Sequence, residues 1–126
     1  MNPALIARLV AAGRIGFGVG LVIAPERLTA PWLGNDAQRP AARVLTRGLG
    51  ARDLALGAGA LMASEPQLRP WVAAAVVADA ADLAATVAAG AALPRAGRII
   101  VGAVACGGAA LGLVSLAGLR AGASRR

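Results

Sequence analysis

Four apolar stretches, each about 20 residues long, take up most of this 126-residue chain, and they restrict its fold more than any other feature. At 1.5 Å rise per residue, about 20 residues coiled as a helix cover the roughly 30 Å hydrocarbon core of a bilayer. Inside hydrocarbon the backbone must satisfy its own hydrogen bonds, which a helix does within one segment. The expected fold class is therefore all-α, a four-transmembrane-helix antiparallel bundle. The expected helices cover residues 5–24, 44–63, 71–93 and 99–119 of a single integral membrane domain, 1–126. A hydrophobic content of 58% and a mean hydropathy of +0.68 exclude an ordinary soluble domain of this length.

Punctuation along the chain agrees with this division. Pro3 stands near the start of the first span and Pro25 at its end, while Pro70 and Pro94 bracket the third. Residues 25–40 are polar, hold three prolines and Trp32, and read as an interfacial loop. Trp32 and Trp71 suit headgroup-level anchors, and the 25–40 segment could form a lid over a site opening at that surface. The apolar run Leu5 to Ala24 is long, carries Arg14 and meets Pro25-Glu26-Arg27 without a clear small-x-small cleavage site, so it does not read as a signal peptide. Gly16, Gly18 and Gly20 give the first helix a thin surface for close helix approach. In the fourth span Gly102, Cys106 and Ala110 form one four-residue series, and Gly108 and Gly112 another. These stripes favour packing inside the bundle or a homodimer through that helix.

Five ionisable residues interrupt this apolar pattern near the middle of the spans: Arg14, Arg52, Asp53, Asp79 and Asp82. A charge at that depth costs a few kcal/mol or more unless it is paired or faces a cavity, so each marks a site of function or of helix organisation. Asp79 and Asp82 are three residues apart and share a helix face. Arg52 and Asp53 diverge by about 100° around their axis, so only the longer arginine can curl toward a common partner. Arg14, tenth in its span, is too deep to reach the interface. Arg47, nearer a helix end, is the sixth member of the expected cluster. Among the five central groups there are two cations and three acids, one carboxyl in excess.

Thirteen arginines, no lysine and six acids give a formal charge of +7. The arginines are scattered over helix ends and middles without interleaved aromatics, which excludes a nucleic-acid partner and leaves the lipid bilayer as the partner of the basic side chains. With His and Tyr absent and Cys106 the only cysteine, no disulfide, metal site or cofactor is expected. Arginines divide evenly between the two ends of the spans, so the positive-inside rule does not orient the chain.

The run Arg47-Gly48-Leu49-Gly50-Ala51-Arg52-Asp53-Leu54-Ala55-Leu56-Gly57, the later Ala78-Asp79-Ala80-Ala81-Asp82, and Gly13-Arg14 before a glycine-rich stretch and Pro25 resemble a family of unknown function. Its members are small four-helix integral membrane proteins common in actinobacteria, distantly similar to the DoxX-type group. The resemblance covers nearly the whole chain and implies the fold and little else, since the family has no established activity; the expected location is the bacterial cytoplasmic membrane. The DoxX-type group is associated with quinone-linked sulfur oxidation, but this chain lacks the cysteine pair, His and Tyr that would help such chemistry.

Three functions compete on this reading. In the first, the Arg/Asp cluster organises the bundle and binds a small amphiphilic ligand or a partner helix, as Arg grips carboxylate or phosphate bidentately. In the second, the chain is a membrane-embedded acid/base enzyme, with Asp79, Asp82 or Asp53 as general acid toward a lipophilic substrate such as a terpenoid or epoxide. The scarcity of rings that could stabilise a carbocation counts against it. A small proton-coupled transporter ranks third, because Arg14 stands where such exporters carry an acid.

Overall fold

The computed structural model describes residues 2–123, and these are almost entirely helical, with no strand among the described residues. Five α-helices follow in order: α1 (Pro3–Ile23), α2 (Pro25–Leu33), α3 (Pro40–Met62), α4 (Glu65–Ala89) and α5 (Arg95–Ala123). Short 3-10 turns lie at Gly34–Gln38 and Gly90–Ala92.

Local chemistry sets the boundaries. Asn2 caps α1 by accepting from the Ala4 N–H at 2.9 Å, and Pro3 supplies the fixed φ of a first helical residue. At the start of α4 the Gln67 side chain accepts from both the backbone N–H and the hydroxyl of Ser64. This helix therefore begins at Glu65 and runs through Pro70, earlier than the expected residue 71. Pro70 forfeits only the bond to the carbonyl of Pro66, early in the helix, and does not end it. Gly90, at a φ of +52°, turns the chain at the far end, short of residue 93.

Residues 25–40, expected as a loop, instead contain the nine-residue helix α2. Pro25 sits in its first turn with Glu26 beside it, where proline is tolerated and an acid complements the helix dipole. The buried Thr29 hydroxyl donates to the Pro25 carbonyl at 2.7 Å. Glu26 pairs with Arg43 of α3 at 2.7 Å, and Gly34 ends the helix at a φ of +60°.

The long helices alternate in direction. Gly18 of α1 lies on Gly50 and Leu54 of α3, and Gly57 of α3 lies on Ala11 and Ile15 of α1, so the two run antiparallel. A Cβ on Gly18 would stand 2.8 Å from the Gly50 carbonyl oxygen; only glycine allows this approach. Likewise Gly108 and Gly112 of α5 lie on Asp79 and Val76 of α4, and Gly118 of α5 on Pro3 of α1. The α1–α3 and α4–α5 pairs pack most extensively, and α1–α5 joins them. Although one tight turn connects α3 to α4, their contact is smaller and includes Gly59 beneath the Trp71 ring. Gly118, Pro3 and the α3–α4 turn gather at one end; α2 and the 90–94 turn lie at the other, where Gly34 meets Pro94.

The core consists of small residues: Ala4, Ala7, Ala11, Ala60 and Ala63 with Leu68 and Val72. Large apolar side chains such as Leu9, Ile23, Leu45, Met62, Val77 and Val87 are exposed instead. Among the described residues three helical segments are long and apolar enough to cross a membrane: Pro3–Ile23, Glu65–Ala92 and Arg95–Ala121. The fourth expected one, α3, falls short, because Arg47, Arg52 and Asp53 occur in every 18-residue stretch it offers.

Candidate functional site

The five mid-helix charges meet. From α1, Arg14 Nη1 donates to Asp53 Oδ1 of α3 at 2.9 Å, while its Nη2 donates to both carboxylate oxygens of Asp79 on α4 at 2.6 and 2.7 Å. Arg52 of α3 grips Asp82 of α4 bidentately, Nη1 to Oδ1 at 2.8 Å and Nη2 to Oδ2 at 2.7 Å. It also curls back onto its neighbour, its Nε and Nη2 donating to Asp53 Oδ1 at 3.2 and 3.0 Å. The result is one continuous chain, Asp79–Arg14–Asp53–Arg52–Asp82, tying three helices together. Asp53 is shared between the two guanidiniums, so no carboxyl is left without an arginine.

Burial grades along this chain. The side chains of Asp53 and Arg14 are 6% and 9% exposed, against 30% and 27% for Arg52 and Asp82. Asp79 is seated against α5 at Gly108, where a Cβ would lie 2.6 Å from its Oδ2. Gly108, noted in the sequence only as a packing residue, is thus the seat of a charged group. Arg47 does not join the cluster; it is exposed, and its Nε donates to the Val22 carbonyl of α1 at 3.3 Å. The reason is angular, since residues five apart on a helix diverge by about 140°. Sequence reasoning missed Arg8, whose Nη1 and Nη2 donate to the carbonyls of Leu61 and Ala63 at 2.6 and 2.9 Å and cap the end of α3.

Beside the charged chain lies a cavity of about 440 Å³. All five charged side chains line one part of it, and Phe17, Leu21, Leu49, Val101 and Val104 line others. Leu28, Thr29, Pro31 and Trp32 of α2 complete the wall. Trp32, expected as a headgroup anchor, lines the cavity, and its indole Nε1 is buried with no hydrogen-bond partner among the described residues. Holding α2 in place is Gly97 of α5, where a Cβ would collide with the backbone of Pro31 and Trp32. A second void of about 20 Å³ borders Arg14 and Asp79 and is lined mainly by Ala7, Ala11, Ala60, Val72 and Ser115. It is about large enough for one water molecule. Cys106 and Ala110 are exposed on the outer side of α5, away from the seam made by Gly108 and Gly112. Among the described residues no group of three or more His, Cys, Asp or Glu side chains could hold a metal ion.

Such a site can organise helices and can hold a molecule that is polar at one end and apolar along the rest. Compared with protein-family models, curated proteins and solved structures, the chain matches none.

Proposed function

We propose that the chain is an integral membrane protein, a four-transmembrane-helix bundle of the bacterial cytoplasmic membrane, that binds a small amphiphile between its Arg/Asp chain and α2. The observation that carries this reading is the cavity of about 440 Å³ with charge on one wall and aliphatic and aromatic side chains on the others. Its size falls in the range of about 300–1,000 Å³ usual for small-molecule sites. Membrane residence is supported by the distribution of apolar side chains, with many large ones exposed and a core in which alanines outnumber Leu68 and Val72. It is supported for α3 as well. Arg52 and Asp53 of that helix turn inward, while Val44, Leu45, Gly48, Ala51, Ala55 and Met62 are exposed. Arg43 and Arg47 are near its start, where long side chains can reach the interface.

The same ionic chain organises the bundle, because its five members come from three helices and register them against each other. Catalysis by Asp53, Asp79 or Asp82 has less support, since each is tied to an arginine and none stands alone as an acid. The resemblance to the actinobacterial four-helix family adds the fold to this reading and no activity.

Native mass spectrometry of protein gently extracted from its own membrane tests the proposal. A small molecule should accompany the wild type and be absent from Leu28→Trp, which fills the cavity without touching the charges. Bare protein in both, with Arg52→Gln causing only loss of stability, would reduce the cluster to a structural network.

A further inference from the structure

We propose that the occupant of this cavity is a cationic amphiphile: a single ammonium or guanidinium head on an aliphatic body, bound against the Asp-rich chain. The inference rests on reading the cavity as a binding site and assigns the class of its ligand. Three observations carry it.

First, among the described residues the only ionisable groups lining the cavity are Arg14, Arg52, Asp53, Asp79 and Asp82, two cations and three acids. The wall is formally one negative charge in excess. An uncompensated charge away from water is costly, and a ligand carrying one positive charge brings the site to neutrality, whereas an anion would double the imbalance.

Second, each guanidinium already serves two carboxylates: Arg14 donates to Asp53 and Asp79, and Arg52 to Asp82 and Asp53, through contacts of 2.6 to 3.2 Å. A phosphate or carboxylate head would have to share these guanidiniums with the aspartates and would meet their negative charge at close range. Each carboxylate oxygen can accept more than one hydrogen bond, and the Asp82 side chain is 27% exposed, so an N–H donor can add to the chain without breaking it.

Third, the remaining wall suits the rest of such a molecule. Leu21, Leu28, Val101 and Val104 offer an aliphatic surface, and Phe17 and Trp32 place aromatic rings in the same lining. A cation near a ring face gains further attraction from the ring quadrupole.

The test measures binding to the full-length protein in neutral detergent, with four probes of equal chain length: dodecylamine, dodecyltrimethylammonium, dodecanol and dodecanoate. Competition with a fluorescent alkylamine gives relative affinities. Dodecylamine should bind at least about tenfold more tightly than dodecanol or dodecanoate. Asp53→Asn balances the wall at two cations and two acids without removing either arginine's other partner. It should erase that preference while the helical circular dichroism and oligomer size stay unchanged. Should Asp53→Asn fail to fold, Asp82→Asn makes the same charge change at the more accessible end.

Tighter binding of dodecanoate or dodecanol, lost in Leu28→Trp, would overturn the cationic class and leave the binding site standing. Equal binding of all four probes that persists in Leu28→Trp would overturn both, placing the amphiphiles on the outer surface of the bundle.

Discussion

Asp53 Oδ1 accepts from Arg14 and from Arg52, and this shared oxygen makes the residues of the chain unequal. Removing Arg14 strips a cation from two buried carboxylates at once, and loss of one partner of a buried pair is expensive. Arg14→Gln should therefore destabilise the protein by about 3 kcal/mol or more in denaturant titration of the detergent-solubilised protein. Arg47→Gln, at an exposed side chain, should change stability by less than about 0.5 kcal/mol in the same titration. Asp53→Asn should be milder than Arg14→Gln although Asp53 is buried at least as deeply. Its amide oxygen still accepts, and each arginine keeps a carboxylate of α4. How much of this was readable beforehand follows from geometry. Depth in the apolar runs marks Arg14, Arg52, Asp53, Asp79 and Asp82, and helical angles give the common face of the two α4 acids. Which arginine meets which acid depends on helix neighbours, and no spacing along one helix encodes those. Sharing of Asp53 was hidden for that reason, as was the seat that Gly108 provides for Asp79 from a fourth helix.

At the scale of elements, α2 is where pattern reading and structure part most. Three prolines and a polar composition read as a loop, because a short helix has too few residues to show an amphipathic period. Its stability comes from tertiary support that a local reading cannot include: the Glu26–Arg43 pair and the close approach of Pro31 and Trp32 to Gly97. That approach gives a direct test. Gly97→Val should push α2 off the bundle, speeding hydrogen exchange across residues 25–33 and shifting Trp32 emission to the red. The control is Gly107→Val, where an added Cβ would meet nothing within 4 Å among the described residues, and it should leave both signals unchanged. The glycines of α1 show the same division. All of Gly16, Gly18 and Gly20 look alike in sequence, yet Gly18 meets α3, Gly20 meets Leu28 of α2, and Gly16 faces open space. Close helix packing was legible, and its partner was not.

For the whole molecule the deciding question is whether α3 crosses a membrane along with α1, α4 and α5, which are long and apolar enough to do so. Its average apolarity argues against crossing, but an average weighs inward and outward residues alike. Of the charges that lower it, Arg52 and Asp53 point to partners on α1 and α4, while Arg47 is exposed nearer the helix start, where a long side chain can reach the interface; a lipid chain beside the rest of α3 would meet Val44, Leu45, Ala51, Ala55 and Met62. Twenty-three residues of helix reach about 34 Å, enough to cross. Crossing fixes the topology, because α1, α3, α4 and α5 alternate in direction: the α3–α4 turn must then lie opposite both α2 and the 90–94 turn. Cys106 is the chain's own cysteine, so the experiment starts from Cys106→Ser and adds Asn35→Cys, Ala92→Cys or Ser64→Cys, each at an exposed position. A membrane-impermeant maleimide applied to sealed, oriented vesicles should label Asn35→Cys and Ala92→Cys from one side and Ser64→Cys only from the other. Labelling of Asn35→Cys and Ser64→Cys from one side, with Ala92→Cys labelled only from the other, would put α3 in the interface. The ionic chain would then have to open, because Arg14 and Asp79, in the middle of two crossing helices, cannot stay bonded to a helix lying flat at the surface. The labelling pattern and the stability of Arg14→Gln must therefore agree: Asn35→Cys and Ser64→Cys labelled from opposite sides goes with a large loss, the two labelled from the same side with a small one.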